Sequence, residues 1–262
     1  MNIGCVLLNY NDSLRINELV KNLLEFNLFK EIVVVDNNSK DKDSLCNFNN
    51  KINIIYNKEN KGYAYGNNKG FRFLEDKDID LVLTLNSDII IKKEDILLMI
   101  KFMESVNEYA AISIYMKEFN KYKKNYYRIP TPFNSFIKLP YNPSKNKKII
   151  NNIEYFDVGY VRESCVLYDF KKFKEINYYD ETFFLYEEGP SSSINFKKLG
   201  YKEAIIGNKN KNYYIHNHKG KLYSKNAFRN FKKSRIIYLK KYYNNPKLAI
   251  FLIKILYHYI GK

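Results

Sequence analysis

The sequence has 262 residues and a formal net charge of +16, with 45% hydrophobic and 16% aromatic residues. That length and apolar content exclude an intrinsically disordered chain and allow a substantial core. The three cysteines, Cys5, Cys46 and Cys165, are far apart and odd in number, which excludes a disulfide framework and is typical of a reducing compartment. No basic stretch precedes the first apolar run, and no run reaches the ~18–20 residues that cross a bilayer, so we expect a cytoplasmic protein.

The first 103 residues alternate apolar runs with amphipathic segments. Short apolar runs predict strands at residues 1–10, 32–35, 52–56 and 79–85. Apolar residues at helical spacing predict helices at residues 16–24 and 96–103, and a glycine-rich turn at residues 62–70 is expected to open another helix. This alternation predicts an α/β fold of Rossmann-like layout, with a parallel sheet and helices on both faces.

The composition changes after residue 116. Residues 117–148 hold four of the six prolines and many Lys, Asn and Tyr residues, which predicts an irregular loop. Further strands are predicted at residues 158–168 and 183–186, and a helix at residues 194–199. From residue 226 we expect helices to the end, with a break near Pro246.

Polar clusters follow three of the predicted strands, at residues 9–12, 36–39 and 86–88. Such clusters are common turn sequences, but ligands of open α/β sheets bind at the carboxyl edge of the strands, where all three would meet. A carboxylate after the second strand can accept from a pyrimidine N–H or a ribose hydroxyl. A carboxylate after the fourth strand can hold Mg²⁺ or Mn²⁺ across a diphosphate, because hard cations prefer oxygen ligands.

Several spaced motifs together resemble the family 2 glycosyltransferases, above all their rhamnosyltransferase-like branch. The resemblance covers residues 3–220 in order, except for 117–150. It is carried by VVVDNNS (33–39), NKGYAYGNNKG (60–70), LNSD (85–88), YDETFFLYEE (179–188) and KLGY (198–201). It implies an inverting enzyme with the GT-A fold. The expected organisation is a nucleotide-sugar-binding region at residues 1–115, an acceptor-binding and catalytic region of the same domain at 116–225, and a basic helical tail at 226–262.

The resemblance also implies roles for individual residues. Asp36 would contact the nucleobase with Asn9 and Asn38 nearby, and the glycine-rich segment would wrap the nucleotide. The sequence Asn86-Ser87-Asp88 stands where the family carries Asp-x-Asp, which leaves Asp88 as the metal-binding carboxylate. The expected donor-binding residues are Asn9, Asp36, Asn38, Gly62, Asn67, Asn68, Asn86 and Ser87.

The chain departs from the family at its catalytic base. The family pattern Glu-Asp-x-Asp aligns with residues 188–191, where Glu188 is kept but Gly189 and Ser191 replace the aspartates. An inverting transfer needs a base for the acceptor hydroxyl proton, and Gly189 stands where the resemblance puts it. We hypothesise that Glu188, or its neighbour Glu187, supplies the carboxylate. The alternatives are that both are solvated loop residues or that activity is lost.

Two histidines follow at the end of the matched region, His216 and His218. In the family, a histidine near this point can join the metal or the diphosphate, since imidazole binds Mn²⁺ and its protonated form pairs with phosphate. The spacing does not say which histidine matches. We expect one of them to join Asp88 at a Mg²⁺ or Mn²⁺ site.

The C-terminal part of the chain is uniformly basic. No Asp or Glu follows Glu203, while Lys and Arg recur to the end, and such a field attracts phosphate-bearing partners. Lys247 and Lys254 lie on one face of a predicted apolar helix that is too short to span a bilayer but suits its surface. We expect contact with the inner face of the membrane; the alternative is an ordinary helix packed on the core with solvated lysines.

These observations predict a glycosyltransferase that moves a sugar from a UDP- or dTDP-sugar to a bacterial surface glycan or lipid-linked oligosaccharide. One alternative is a degenerate protein that only binds sugar nucleotides. Another is a nucleotidyltransferase, but residues 9–12 lack the glycine-rich basic loop expected after its first strand. No nucleic-acid-binding pattern is visible, so we expect no nucleic-acid partner.

Overall fold

The computed structural model describes residues 1–48, 51–135, 140–217 and 225–260. Its α-helices are α1 (Ser13–Phe26), α2 (Tyr63–Phe73), α3 (Lys93–Glu104), α4 (Phe170–Glu175), α5 (Glu188–Lys198), α6 (Lys225–Tyr242) and α7 (Lys247–Ile260). Short 3-10 helices lie at Lys42–Ser44 and Pro143–Asn146.

The strands are numbered in chain order. They are β1 (Ile3–Asn9), β2 (Glu31–Asp36), β3 (Asn53–Tyr56), β4 (Leu81–Leu85), β5 (Ile89–Ile90), β6 (Tyr109–Ser113), β7 (Tyr115–Glu118), β8 (Lys121–Lys123), β9 (Tyr126–Tyr127), β10 (Lys148–Ile150), β11 (Ile153–Val158), β12 (Tyr160–Val161), β13 (Cys165–Asp169), β14 (Lys202–Ile206) and β15 (Tyr213–His216).

Nine strands form the central sheet, in the order β10-β11-β14-β6-β13-β4-β1-β2-β3. The four strands predicted from the first 85 residues are present, and β4, β1, β2 and β3 are parallel. The parallel arrangement predicted from these strands is confirmed, but the complete sheet is mixed, because β13 runs antiparallel to both β4 and β6. An apolar run records that a strand is buried but not its direction, so the sequence pattern could not show this reversal.

Both faces of the sheet are covered, which explains the continuous apolar runs. On one face, Cys5 and Leu7 of β1 pack in a cluster with the buried residues of α1 and α3. On the other, Val6 of the same strand packs with Phe71 of α2 and Phe196 of α5. Successive strand residues therefore face two different cores, and both sets must be apolar.

The glycine-rich segment forms part of helix α2 itself. A methyl group at Gly70 would lie 2.5 Å from Val6 Cγ1, and one at Gly66 would overlap the Leu8 side chain. Only Gly62, at the N-cap with φ of 109°, has the backbone conformation of a turn glycine. The expectation of a turn over residues 62–70 was therefore wrong, because its last glycines serve close packing of α2 on β1.

Two other expectations fail in the second half of the chain. Residues 117–148 are less irregular than predicted, because β7 and β8 join β15 and β5 in a four-stranded sheet and β9 pairs with β12. The apolar residues 183–186 do not form a strand. Phe183 is instead buried against α6 and α7, and Tyr186 has φ of 70°. Phe183 thus packs against helices rather than within a sheet, and Phe184 is 47% exposed.

Helices α6 and α7 follow one another with a break around Pro246 and pack together through Tyr238, Leu239, Ala249, Ile250 and Ile253. Two basic side chains of α6 are bound within the chain: Arg235 by Glu187 and Lys241 by Asp180. None of the helices in the described residues is long and apolar enough to cross a membrane.

Candidate active site

The three polar clusters predicted to share one sheet edge do meet there. Asn9 ends β1 opposite Asp36 at the end of β2, and its Nδ2 donates to Asp36 Oδ1 (2.9 Å) and Ser39 Oγ (3.2 Å). The third cluster joins through Ser87, whose Oγ donates to Asp12 Oδ2 at 2.5 Å. Side chains from the ends of β1, β2 and β4 thus form one connected polar network.

Asp36 is the fully buried centre of this network. Its Oδ1 accepts from Asn9, and its Oδ2 accepts from the backbone N–H of Ser39 at 2.9 Å. An ionised carboxylate has about four acceptor sites, so two bonds leave capacity for a ligand. Asn38 is exposed beside it in the left-handed conformation. The contact of Asp36 with a nucleobase stays a prediction.

The amides of Asn67 and Asn68 are engaged within the protein. Asn67 Nδ2 donates to the carbonyl of Tyr63 at 3.0 Å. Asn68 donates to the Tyr179 carbonyl (2.8 Å) and accepts from the Tyr179 N–H (3.1 Å), which attaches α2 to the segment before α5. Both asparagines are at least 98% buried. These contacts account for them structurally, and their predicted role in donor binding remains untested.

Gly62 lies where α2 meets the segment before α5. The next residue, Tyr63, donates its backbone N–H to the Phe184 carbonyl at 2.8 Å, and a methyl group at Gly62 would overlap that carbonyl. The Tyr63 hydroxyl lies 3.2 Å from Asn86 Oδ1 and 3.2 Å from the Glu163 carbonyl oxygen. Tyr63, which the sequence analysis did not single out, therefore links α2 to the turn after β4.

Asp88 and His216 come together because β15 pairs antiparallel with β5, with His216 opposite Ile89. Asp88 Oδ1 lies 3.3 Å from His216 Nε2, and Glu118 Oε1 lies 2.8 Å from His216 Nδ1. His216 is 2% exposed, and Arg162 Nη1 lies 3.5 Å from Glu118 on its far side. The other predicted histidine, His218, lies outside the described residues.

The pair Asp88 and His216 suits a divalent cation in chemical type, since carboxylate and neutral imidazole both bind Mn²⁺. Glu118 on the other ring nitrogen resembles the outer carboxylates that orient metal-binding histidines. Within residues 1–48, 51–135, 140–217 and 225–260, no group of three or more His, Cys, Asp or Glu side chains is arranged to hold a metal. The described residues therefore offer two donors at this place, Asp88 and His216, and a bound diphosphate or water could supply further ligands.

The two glutamates predicted as the base lie at the start of α5. Glu187 is 4% exposed and its Oε1 accepts from Arg235 Nε at 2.7 Å. Burial raises the pKa of Glu187 despite the guanidinium. Glu188 is 3% exposed, and burial together with the charges of Glu163 and Glu187 raises its pKa well above the usual range. The expectation that they are solvated loop residues was wrong.

A third glutamate at this place, Glu163, was missed from the sequence. It lies between β12 and β13, and its Oε1 fills the space that a methyl group at Gly189 would occupy. Burial raises the pKa of Glu163 to about 7. Glu163 lies in no recognisable sequence motif. Its neighbour Gly189 is 26 residues further along the chain, and only the fold brings the two together. A separate cavity of about 580 Å³, lined among others by Arg72, Asp180 and Lys241, contains none of these residues.

Known proteins match this chain in sequence and in fold. The model of glycosyl transferase family 2 matches residues 5–177. The low-salt glycan biosynthesis hexosyltransferase Agl10 of Haloferax volcanii is 32% identical over 192 residues, which are 71% of this chain but 58% of Agl10. The rhamnosyltransferase WbbL of Escherichia coli is 27% identical over 191 residues, 69% of this chain and 70% of WbbL.

Among solved structures, the mannosyltransferase PcManGT from Pyrobaculum calidifontis, in complex with GDP-Man and Mn²⁺, superposes with a TM-score of 0.64. The likeness covers 99% of this chain and 70% of PcManGT at 12% sequence identity, so it concerns the fold alone. The chain spans a little over half the length of Agl10.

Proposed function

Because the chain belongs to glycosyltransferase family 2 and has the predicted GT-A fold, we propose that it is an inverting glycosyltransferase. It moves a sugar from a UDP- or dTDP-sugar to a hydroxyl of a surface glycan or a lipid-linked oligosaccharide. One observation carries this proposal: the polar ends of β1, β2 and β4 form a single network beside the Asp88–His216 pair.

In this proposal the donor lies along the carboxyl edge of the sheet. Asp36, held by Asn9, accepts a hydrogen bond from the base or the ribose, with Asn38 at the solvent side. The turn at Asn86 and Ser87 faces the diphosphate. Asp88 and His216 would hold Mg²⁺ or Mn²⁺, which supplies positive charge to the departing diphosphate.

The orientation of His216 supports its place in this site. A neutral imidazole that donates from Nδ1 to Glu118 presents Nε2 as a lone-pair donor toward Asp88. The same arrangement keeps the imidazole fixed before any ligand binds, which lowers the entropic cost of binding.

The acceptor is proposed to be glycan or lipid-linked oligosaccharide at the inner face of a membrane. Helix α7 exposes Leu248 (69%), Phe251 (59%) and Ile255 (40%), which recur at helical spacing. Lys247 and Lys254 are on the same helix, and each basic residue near an anionic surface adds about 1 kcal/mol. Because Arg235 and Lys241 are bound to carboxylates within the chain, α7 rather than α6 is the proposed contact.

A second candidate is a degenerate protein that binds sugar nucleotides without transferring the sugar. Gly189 and Ser191 favour it, since neither carries a carboxylate at the start of α5. The two candidates share the donor site and differ only in turnover.

Thermal unfolding with UDP, dTDP, GDP and CMP, each with and without Mn²⁺, tests the donor site. A nucleotide at 100 times its dissociation constant adds ~2.7 kcal/mol, which raises the midpoint by ~5–10 °C. We expect UDP or dTDP to give a shift that grows with Mn²⁺. Asp88→Asn should lose the Mn²⁺-dependent part, whereas Asp76→Asn, a change of the same charge at an exposed site, should keep it. No shift with any nucleotide would contradict the proposal.

A further inference from the structure

Glu163 is tied to the turn proposed to face the diphosphate. Its carbonyl oxygen lies 3.2 Å from the Tyr63 hydroxyl, which is also 3.2 Å from Asn86 Oδ1. The next residue, Ser164, accepts the backbone N–H of Asn86 at 3.0 Å. The backbone at residues 163 and 164 is thus held by Tyr63 and Asn86, which lie at the turn proposed to face the diphosphate.

The carboxylate of Glu163 lies over the first turn of α5. Its Oε1 occupies the position of a β-carbon at residue 189, so only glycine fits beneath it. Oε1 is buried and has no hydrogen bond of good geometry to any described residue, although the nearby Gly189 N–H favours its charged form. The residue as a whole is partly exposed.

Glu163 is the least buried of the three glutamates here, since Glu187 and Glu188 are only 4% and 3% exposed. Glu187 is paired with Arg235, and burial together with the charges of Glu163 and Glu187 raises the pKa of Glu188 well above its usual range. Burial raises the pKa of Glu163 to about 7, and Arg162 limits the rise. The titratable groups that face it are Tyr63, Tyr160, Arg162, Tyr168, Tyr179, Glu187, Glu188 and Glu203.

We propose that Glu163, rather than Glu187 or Glu188, is the catalytic base that takes the proton of the acceptor hydroxyl. This inference rests on the proposed function. As the acceptor O–H bond breaks, its proton passes to the Glu163 carboxylate and the oxygen forms a bond to the anomeric carbon. The bond from that carbon to the diphosphate oxygen breaks at the same time, and its electron pair leaves with the nucleoside diphosphate. A base with a pKa near the working pH suits this step.

The first test removes the Glu163 carboxylate. Release of nucleoside diphosphate is followed with UDP-glucose, UDP-N-acetylglucosamine, dTDP-rhamnose and GDP-mannose, with water as the acceptor. Glu163→Gln should lower kcat about 10²–10⁴-fold and leave the nucleotide Kd within threefold. Glu188→Gln, and Glu94→Gln on the exposed start of α3, should each change kcat less than tenfold.

The transfer of the carboxylate to residue 189 is the rescue experiment. Gly189→Asp alone should impair turnover, because its side chain overlaps Glu163. The double variant Glu163→Ala with Gly189→Asp should recover at least tenfold over Glu163→Ala. Wild-type kcat should rise with pH and level off above about 7. An unchanged kcat in Glu163→Gln, or a rise of kcat on acidification, would overturn the proposal.

A second measurement does not depend on turnover. In ¹³C NMR of the full chain with labelled glutamate, the resonance lost in Glu163→Gln should titrate with a midpoint near 7. A midpoint near the ordinary 4.5 would refute the assignment even if no donor is hydrolysed. Failure of the proposed function looks different, since the wild type itself would then bind no nucleotide, or would bind one without turning over any donor.

Discussion

The proposed active site has a donor side and a catalytic side, which are built in different ways. On the donor side, Asn9 and Asp36 end adjacent strands, and each lies in a motif that is continuous in sequence. On the catalytic side, Glu163 reaches over Gly189, Arg235 reaches Glu187 and Glu118 reaches His216, all across long stretches of chain. The comparison teaches that the proposed donor side is built from local motifs, whereas the carboxylates of the proposed catalytic side are brought together only by the fold.

The largest expected effect on stability concerns the catalytic side. Arg235→Leu leaves Glu187 buried without its cation, which typically costs about 3–5 kcal/mol in free energy of unfolding. Lys240→Met, an exposed change of the same charge on α6, is the control and should cost under 1 kcal/mol. Urea unfolding at pH 8 measures both. The loss should shrink toward pH 5, where Glu187 can take a proton because burial raises its pKa. Equal costs for both variants would show that the pair does not stabilise this half.

On the donor side, the corresponding change is a single methyl group. Gly70→Ala places its β-carbon 2.5 Å from Val6 Cγ1, and relief of such overlap typically costs about 1–3 kcal/mol. At Gly200 the added carbon of Ala would have nothing within 4 Å, so Gly200→Ala carries only the cost of its left-handed φ of 83°. Thermal unfolding should show the larger loss for Gly70→Ala. A smaller loss than for Gly200→Ala would contradict close packing of α2 on β1.

The last prediction concerns how the stability of the catalytic side depends on pH. The pKa of Glu163 is raised to about 7, so the folded state binds its proton more tightly than the unfolded state does. Between pH 5 and 8 the ionising carboxylate therefore lowers stability, by up to about 3 kcal/mol. Gln does not ionise, so Glu163→Gln should gain stability relative to the wild type as pH rises, by about 1–3 kcal/mol. Urea unfolding at pH 5 and pH 8 measures it; a constant difference would contradict the raised pKa.

The sequence predicted the donor side better than the catalytic side, for physical reasons. Periodicity located β1, β2, β4, α1 and α3, because local patterns record which face of an element is buried. Periodicity wrongly predicted a strand at residues 183–186, where Phe183 is buried against helices and Phe184 is exposed. The sequence also placed Asn9, Asp36 and Asp88 at one edge, a consequence of parallel strands.

The partners of the catalytic side could not be predicted in the same way. Glu163 belongs to no motif, and its position over Gly189 follows from how β12 and the residues after it pack on α5. Glu118 falls in a stretch expected to be irregular, yet β7 brings it to His216. The sequence held one indication, which is that Gly189 and Ser191 lack the carboxylates of the family pattern. It indicated that another carboxylate could take their place, but only the fold shows which carboxylate lies there.

The most direct test of the account is ¹H NMR of the anomeric protons during incubation with the four sugar nucleotides and Mn²⁺. We expect the wild type to consume one α-linked UDP- or dTDP-hexose, or the corresponding β-linked rhamnose donor, and to release first the anomer of opposite configuration. Glu163→Gln should bind the same donor but consume it at least 100-fold more slowly. Retention of configuration, or a variant as fast as the wild type, would contradict an inverting transfer with Glu163 as its base.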